Sequence, residues 1–353
     1  MKILKITLLL MASMLFLIGC NEPHTPAPGV AGTIADFFPF HENTVVVFED
    51  TGPWGNSVFY TIQVDGNRMQ RRITMGQFTV AEVLEIYDGE LRVNHARHFA
   101  SGFEPLIDQK DETPMVILKE PLVVGNSWET HTGPTIQGVA RGQATITAVD
   151  VEVETPYGLV TAIEVSTEFE NGYTVVDYFA RGLGLVQSGY FIQGFERDLG
   201  DTRFIQEEMT VHLSLLSITE NTPLSVDVFV VHPNDEGNDL DYTEVSFEFM
   251  TGGSITEAFE ALLRDPADGL TGLISPHTVI NSIDISWRPS EANPQFDETI
   301  VHVDLSEDFV LDLNAGALAE QLLLISLEAT FTEFFSAHEF VLTIDGQPYV
   351  SRH

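Results

Sequence analysis

Basic residues are scarce in this 353-residue chain: 16 Lys and Arg stand against 53 Asp and Glu, a formal net charge of −37. From Pro223 to His353 the only basic residues are Arg264, Arg288 and Arg352, and Lys is absent. No basic patch is present to neutralise phosphates, which excludes nucleic acid as a partner. Adhesion to anionic lipid through charge is disfavoured for the same reason. The acidic excess is spread along the chain and reads as a solvated surface rather than a cation-binding one. Cys20 is the sole cysteine, so no intramolecular disulfide is possible. Hydrolase signatures are also missing: there is no G-x-S-x-G and no H-E-x-x-H. No catalytic, cofactor-binding or metal-ligating residue is therefore assigned, and the chain is expected not to be an enzyme.

What is present begins at the N-terminus. Lys2 and Lys5 flank the start of an uncharged run from Ile6 to Ile18. Its length suits a signal-peptide core and falls short of the about 20 residues of a membrane span. Leu17-Ile18-Gly19-Cys20 closes the run and resembles the bacterial lipobox. The resemblance implies a lipoprotein signal peptide over residues 1–19, cleavage before Cys20, and lipid attachment to Cys20. Such an anchor holds a protein on the membrane without spanning it, here on the extracytoplasmic face of the cell membrane. Residues 20–35 carry Pro23, Pro26, Pro28, Gly29 and Gly32 without apolar periodicity and read as an extended tether.

Length and composition allow two domains. Residues 36–218 are a series of strand-like runs broken by turn dipeptides. Phe59–Val64 meets Asp65-Gly66, Val83–Tyr87 meets Asp88-Gly89, and Ile163–Phe169 meets Asn171-Gly172. Asp-Gly and Asn-Gly supply the positive φ that tight hairpins need. Ile62 and Val64 alternate with Gln63 and Asp65, which places one face in a core and one in water. The expectation is a mainly antiparallel β domain, as a curved sheet or an open barrel. Gly182 and Gly184 fall in a strand with no helix after them, so they read as bulge or close-approach positions rather than a phosphate loop. His95 and His98 point to opposite faces of an extended chain, which argues against a metal pair. Trp54 and Trp128 are core or rim residues before they are a sugar-binding face. Phe38-Pro39-Phe40, the strand Leu122–Trp128 and the strand Tyr178–Val186 together resemble the N-terminal region of uncharacterised lipoproteins of spore-forming Firmicutes, which carries no assigned chemistry.

Residues 223–353 read as a second, α+β domain in the order β-α-β-β-α-β. Its elements are the strand Val226–Val231, a helix Ser254–Leu263, strands Val279–Trp287 and Thr299–Leu305, a helix Ala315–Phe334, and the strand Phe340–Ile344 before Asp345-Gly346. A further strand-like run covers Glu244–Phe249. Ser254-Ile255-Thr256-Glu257 is a capping box. Ile255, Ala258, Phe259, Leu262 and Leu263 then form one apolar helix face. The acidic stretch His232–Asp241 lacks the calcium-loop pattern and reads as a solvated turn. Asp304 and Ser306 read as caps where the chain leaves its strand.

In this region Ala261–Pro266, Leu273–Ile283, Thr299–Phe309, Ala319–Phe334 and Phe340–Gly346 follow, in order and spacing, the motifs of the GerMN family of spore-germination and sporulation proteins. The stretch Val303-Asp304-Leu305-Ser306 with Phe309 is the most specific match. Asp265 and His277 stand where the family has glycine. The resemblance implies a fold similar to ring-building domains of sporulation complexes. It also implies a non-catalytic assembly or adaptor role in the cell envelope, with other envelope or sporulation proteins as partners. The alternative is a lipoprotein that binds peptidoglycan or carbohydrate through Trp54, Trp128 or Trp287.

Overall fold

The computed structural model describes residues 29–51, 55–76, 78–98, 103, 106–132, 139–192, 210–233, 240–250, 255–265, 272–290, 297–312 and 317–350. The molecule is strand-rich, and its largest element is a near-closed antiparallel sheet of twelve strands.

The first half of that sheet is a meander: β1 (Val45–Asp50), β2 (Ser57–Asp65), β3 (Arg68–Met75), β4 (Phe78–Tyr87), β5 (Glu90–His98) and β6 (Met115–Lys119). The second half is another: β7 (Ser127–His131), β8 (Arg141–Thr155), β9 (Gly158–Phe169), β10 (Tyr173–Ala180), β11 (Gly184–Ile192) and β12 (Thr210–Thr219). The two halves join where β1 pairs with β12, so β6 and β7 are the sheet's outer strands. Side chains bridge these two edges. Trp128 Nε1 and Thr130 Oγ1 both donate to the Val116 carbonyl, at 3.2 and 2.8 Å, and His131 Nε2 lies 3.1 Å from the Thr113 carbonyl oxygen.

The turn dipeptides form the expected hairpins. Asp88 and Gly89 both have positive φ, 52° and 70°, the backbone of a type I′ turn. Asp150, at φ 57°, marks the bend in β8 where the register slips twice. The β8–β9 tip then turns back on the later strands, with Tyr157 N donating to Leu215 O. The sheet encloses a core that includes Phe48, Phe59, Leu84, Ile146, Ile163 and Phe179.

A short helix, α1 (Ile34–Phe37), plugs one end of this core. Ile34, Phe37 and Phe38 are buried there. Val30 N donates to Leu122 O, Gly182 N donates to Asp36 O, and Ile34 N donates to the Glu120 side chain. The Arg181 guanidinium stacks 4.8 Å from the Phe37 ring, and its Nη2 donates to Ala31 O. Residues 29–35 of the expected tether are thus docked on the sheet, while residues 20–28 lie outside the described residues. The chain is already docked at Gly29, which bridges to Val123. Val30 and Ile34 supply the apolar contacts that a solvated tether lacks.

Beyond Thr219 come β13 (Leu224–Pro233) and β14 (Leu240–Phe249), a two-stranded antiparallel sheet. Then follow α2 (Ile255–Arg264), β15 (Ile280–Pro289), β16 (Asp297–Leu305), α3 (Asp308–Asp312), α4 (Ala317–Phe335), β17 (Glu339–Ile344) and β18 (Gln347–Pro348). β15–β18 form one four-stranded sheet, with β16 and β17 parallel and the other pairs antiparallel. Asp345 and Gly346, at φ 46° and 75°, close β17 onto β18. Strand β14 extends the run expected at Glu244–Phe249, and it pairs with β13 rather than with the four-stranded sheet. Helix α2 buries Phe259, Leu262 and Leu263, the apolar face read from its 3.6-residue period. The proposed N-cap Ser254 lies outside the described residues.

The core here is aromatic. Phe259 has the rings of Phe331, Phe334 and Phe335 at 4.8, 4.7 and 5.9 Å. Tyr60 and Phe103 from the first part of the chain join the same cluster, and Phe103 stacks on Phe334 at 4.8 Å. Inside α4, Ser326 and Thr330 are buried, and each hydroxyl donates to the carbonyl four residues back, at 2.9 and 2.7 Å. Those bonds let polar residues sit in an apolar stripe without orphaned groups.

Candidate functional site

The four-stranded sheet has two unlike faces because β15 alternates from Ser282 to Arg288, beyond a bulge after Ile280. Ile283 and Ile285 turn toward the aromatic core. Ser282, Asp284, Ser286 and Arg288 lie on the opposite face. Register carries this alternation across the sheet: Ser282 is opposite Asp304, Asp284 opposite His302, Ser286 opposite Ile300 and Arg288 opposite Glu298. β17 continues the rows with Glu339 beside Ile300, Val341 beside His302 and Thr343 beside Asp304.

Three hydrogen-bonded groups order this face. At one end Arg288 bridges three strands, with Nε 3.0 Å from Glu298 and Nη1 2.6 Å from Glu339. Ser290 Oγ also donates to Glu298. The Arg288 bond, with help from Ser290, holds the Glu298 carboxyl below its usual range. In the middle, Ser286 Oγ and His302 Nε2 are 2.7 Å apart. At the other end Asp304 accepts from Thr343 Oγ1 at 2.6 Å, Gly346 N at 2.7 Å and Asn281 Nδ2 at 2.9 Å. Burial pushes the Asp304 carboxyl up, but these three donors outweigh it and set the group below its ordinary value.

The pairing of Ser286 with His302 raises the question of nucleophilic chemistry. Activation of a serine also requires a group orienting the histidine, and donors aimed at a developing oxyanion. Asp284 faces His302 in register, yet its carboxylate accepts from Ser282 Oγ at 2.8 Å. The amides of β16, laddered on both sides, are committed to its neighbours β15 and β17. The arrangement fixes polar side chains in position on an open surface, which suits recognition of a facing surface. Among the described residues no group of three or more His, Cys, Asp or Glu is placed to hold a metal ion.

The residues singled out in the sequence fall as follows. Asp304 and Ser306 are structural ties. Asp304 knits β15, β16 and the β17–β18 turn, while Ser306 Oγ accepts from Val279 N at 3.0 Å. His95 is joined to Asp111, at 2.8 Å, and His98 ends β5. Trp128 is 5% exposed inside the sheet's core. Trp287 packs against the Ala81, Val83, Leu106 and Ile107 cluster, with the Arg97 guanidinium 4.3 Å from its ring centroid. Gly182 and Gly184 both take positive φ at the β10–β11 turn, and a Cβ on Gly184 would meet the Phe38 ring at 3.6 Å. Cys20, Trp54 and the centre of the acidic loop, 234–239, lie outside the described residues. Sequence reasoning missed Arg288, Ser286 and His302. The signal was there: polar residues at 282, 284, 286 and 288 alternate with Ile283, Ile285 and Trp287.

The fold and this face define a strand-rich protein whose C-terminal part carries an ordered polar sheet surface. Residues 228–350 match the family model Germane, described as sporulation and spore germination, and that match covers about a third of the chain. No curated protein and no solved structure matches the chain. Among the described residues no helix is long and apolar enough to cross a membrane.

Proposed function

We propose that this chain is a lipoprotein anchored through Cys20 to the extracytoplasmic face of the cell membrane, with a non-catalytic assembly or adaptor role in sporulation or spore germination. In this reading residues 36–218 are a β-rich domain, and residues 223–353 are a GerMN-type domain of βαββαβ kind that docks other envelope or sporulation proteins. The match of residues 228–350 to a sporulation and spore-germination family carries the proposal. The outward face of the four-stranded sheet supports it. Its polar side chains are held by one another before any partner arrives, and such pre-ordering lowers the entropic cost of association.

The test is imaging of a tagged full-length chain through growth and sporulation, with Cys20 intact and as Cys20→Ser. The intact chain concentrates at the membrane engulfing the forespore, and Cys20→Ser disperses. A uniform envelope signal unaffected by sporulation overturns the sporulation role. Unchanged membrane retention of Cys20→Ser overturns the anchor. Arg288→Ala, which opens the three-strand bridge on the exposed face, abolishes capture of the partner while leaving the circular dichroism spectrum intact. Undiminished capture rules out this face.

A further inference from the structure

The plugged end of the twelve-stranded sheet is not filled. Between Phe38, Phe48, Phe59 and Leu185 lies a cavity of about 70 Å³. Beside it lies a wider basin of about 510 Å³ lined by residues that include Phe40, Glu42, Asn43 and Asn221. His41, Thr44 and Glu220 line both spaces, so the two adjoin at the rim.

Charge along the two spaces is one-sided. Among the described residues the only Lys or Arg lining either space is Arg71. Its Nε and Nη2 both donate to Glu82 Oε2, at 2.9 and 2.8 Å, and its guanidinium lies 4.7 Å from the Phe59 ring centroid. That cation is therefore already matched by an anion. At the rim, Glu42 and Glu220 are exposed carboxylates, and the Phe40 ring beside them adds an aromatic group of the kind that attracts ammonium ions.

The rim is also rigid. Glu42 accepts from Val64 N, Asn43 N donates to Thr61 O, and Thr222 N donates to Asn43 O. Asn43 and Asn221 both sit at φ 53° and turn the chain sharply on either side of the opening.

From this geometry we infer a binding site for a small cationic amphiphile. A short alkyl chain or single ring enters the cavity, and an amine or quaternary ammonium head stays in the basin near Glu42 and Glu220. The cavity is far below the several hundred Å³ that enclose a drug-sized ligand, yet larger than the space one water needs. The tail is accordingly short. An anionic head of equal size meets the same rim as a repulsive one.

The test titrates the full-length protein with butyltrimethylammonium, butyl sulfate and butanol, following backbone amide shifts. The ammonium compound gives saturable shifts at residues 38–44 and 218–221, and binds about tenfold more tightly than butyl sulfate. Glu42→Gln keeps the acceptor used by Val64 N, and Glu220→Gln alters an exposed group, so neither threatens the fold. Each weakens ammonium binding about threefold at low salt and leaves butanol unchanged. Ile218→Phe narrows the cavity and removes binding of all three. Equal or tighter binding of butyl sulfate, an absence of saturable shifts, or indifference of ammonium binding to both rim variants overturns the assignment. If Ile218→Phe fails to fold, the rim variants decide the question without it.

Discussion

Asp177 offers a sharp test of the energetics inside the twelve-stranded sheet. It sits in β10 between Val165 of β9 and Ser188 of β11. Burial pushes its carboxyl up to about 6 from an ordinary 3.8, against the opposing pull of the Ser188 hydroxyl, which donates to Oδ1 at 2.5 Å. The shift from 3.8 to about 6 corresponds to about 3 kcal/mol. Because the residue keeps a partial opening to solvent, that figure is an upper bound. The direction follows from proton counting. Below about pH 4 the group is protonated in both folded and unfolded chains and contributes nothing. Between about pH 4 and 6 the unfolded chain releases the proton while the folded chain holds it, so stability falls as pH rises; above about pH 6 the penalty is constant. Asp177→Asn keeps an acceptor for Ser188 and turns its amide toward the solvent opening. Urea unfolding of both proteins across this range is the assay. The variant equals the parent near pH 4 and is more stable by about 1–3 kcal/mol at pH 7 and above, the gap opening between about pH 4 and 6. The general acidity of the chain cancels in that difference. A variant less stable at neutral pH, or a gap that does not change with pH, refutes the reasoning.

Three further outcomes follow from the geometry. Asp304→Ala removes an acceptor shared by three donors and costs about 2 kcal/mol by chemical unfolding at neutral pH. Because the Asp304 carboxyl is held below its ordinary value, this contribution is present at neutral pH and fades as pH falls below about 4; a loss that persists undiminished in acid counts against the assignment. Phe103→Ala removes a ring stacked on Phe334, beside Phe249 and under Arg72, and costs about 3 kcal/mol. Amide hydrogen exchange then rises at the end of α4, and unchanged protection there would show that the contact carries no weight. The double change Trp128→Phe with Thr130→Val strips two donors from the Val116 carbonyl, and exchange rises in β6 while β3 and β4 stay protected. Uniform loss of protection across the sheet would instead mean global destabilisation.

Local chemistry made much of the fold legible. Asp88-Gly89 and Asp345-Gly346 announce hairpins because both residues of each pair must take positive φ. Phe259, Leu262 and Leu263 mark the buried side of α2 by period alone. What could not be read was distant pairing. Nothing in Val45–Asp50 names β12 as its partner, so the near-closure of the sheet was left open between a curved sheet and a barrel. Ile34 and Phe37 were hidden for a different reason: two apolar residues beside a Pro- and Gly-rich stretch show no period, and only the core they enter reveals them. The polar face lay in plain alternation along Ser282–Arg288, but alternation says which residues share a face and not which of them bond. Ser286 reaches His302 through register, which the sequence does not display.

The joint between the two meanders bears on the order of assembly. Every other ladder in the twelve-stranded sheet links strands that are neighbours in the chain, whereas β1 and β12 join residues as remote as Val45 and Thr219. Each meander can form from local hairpins, but their union must wait for a long loop to close, the slow kind of step in a β-rich fold. Until then β1 and β12 are unpaired edges, open to mispairing with another chain. Strand β12 also ends just before β13, so that union fixes where the C-terminal sheet and helices begin. A substitution that slows the joining of β1 and β12 thus delays the whole molecule, even where it leaves the finished structure as stable as before.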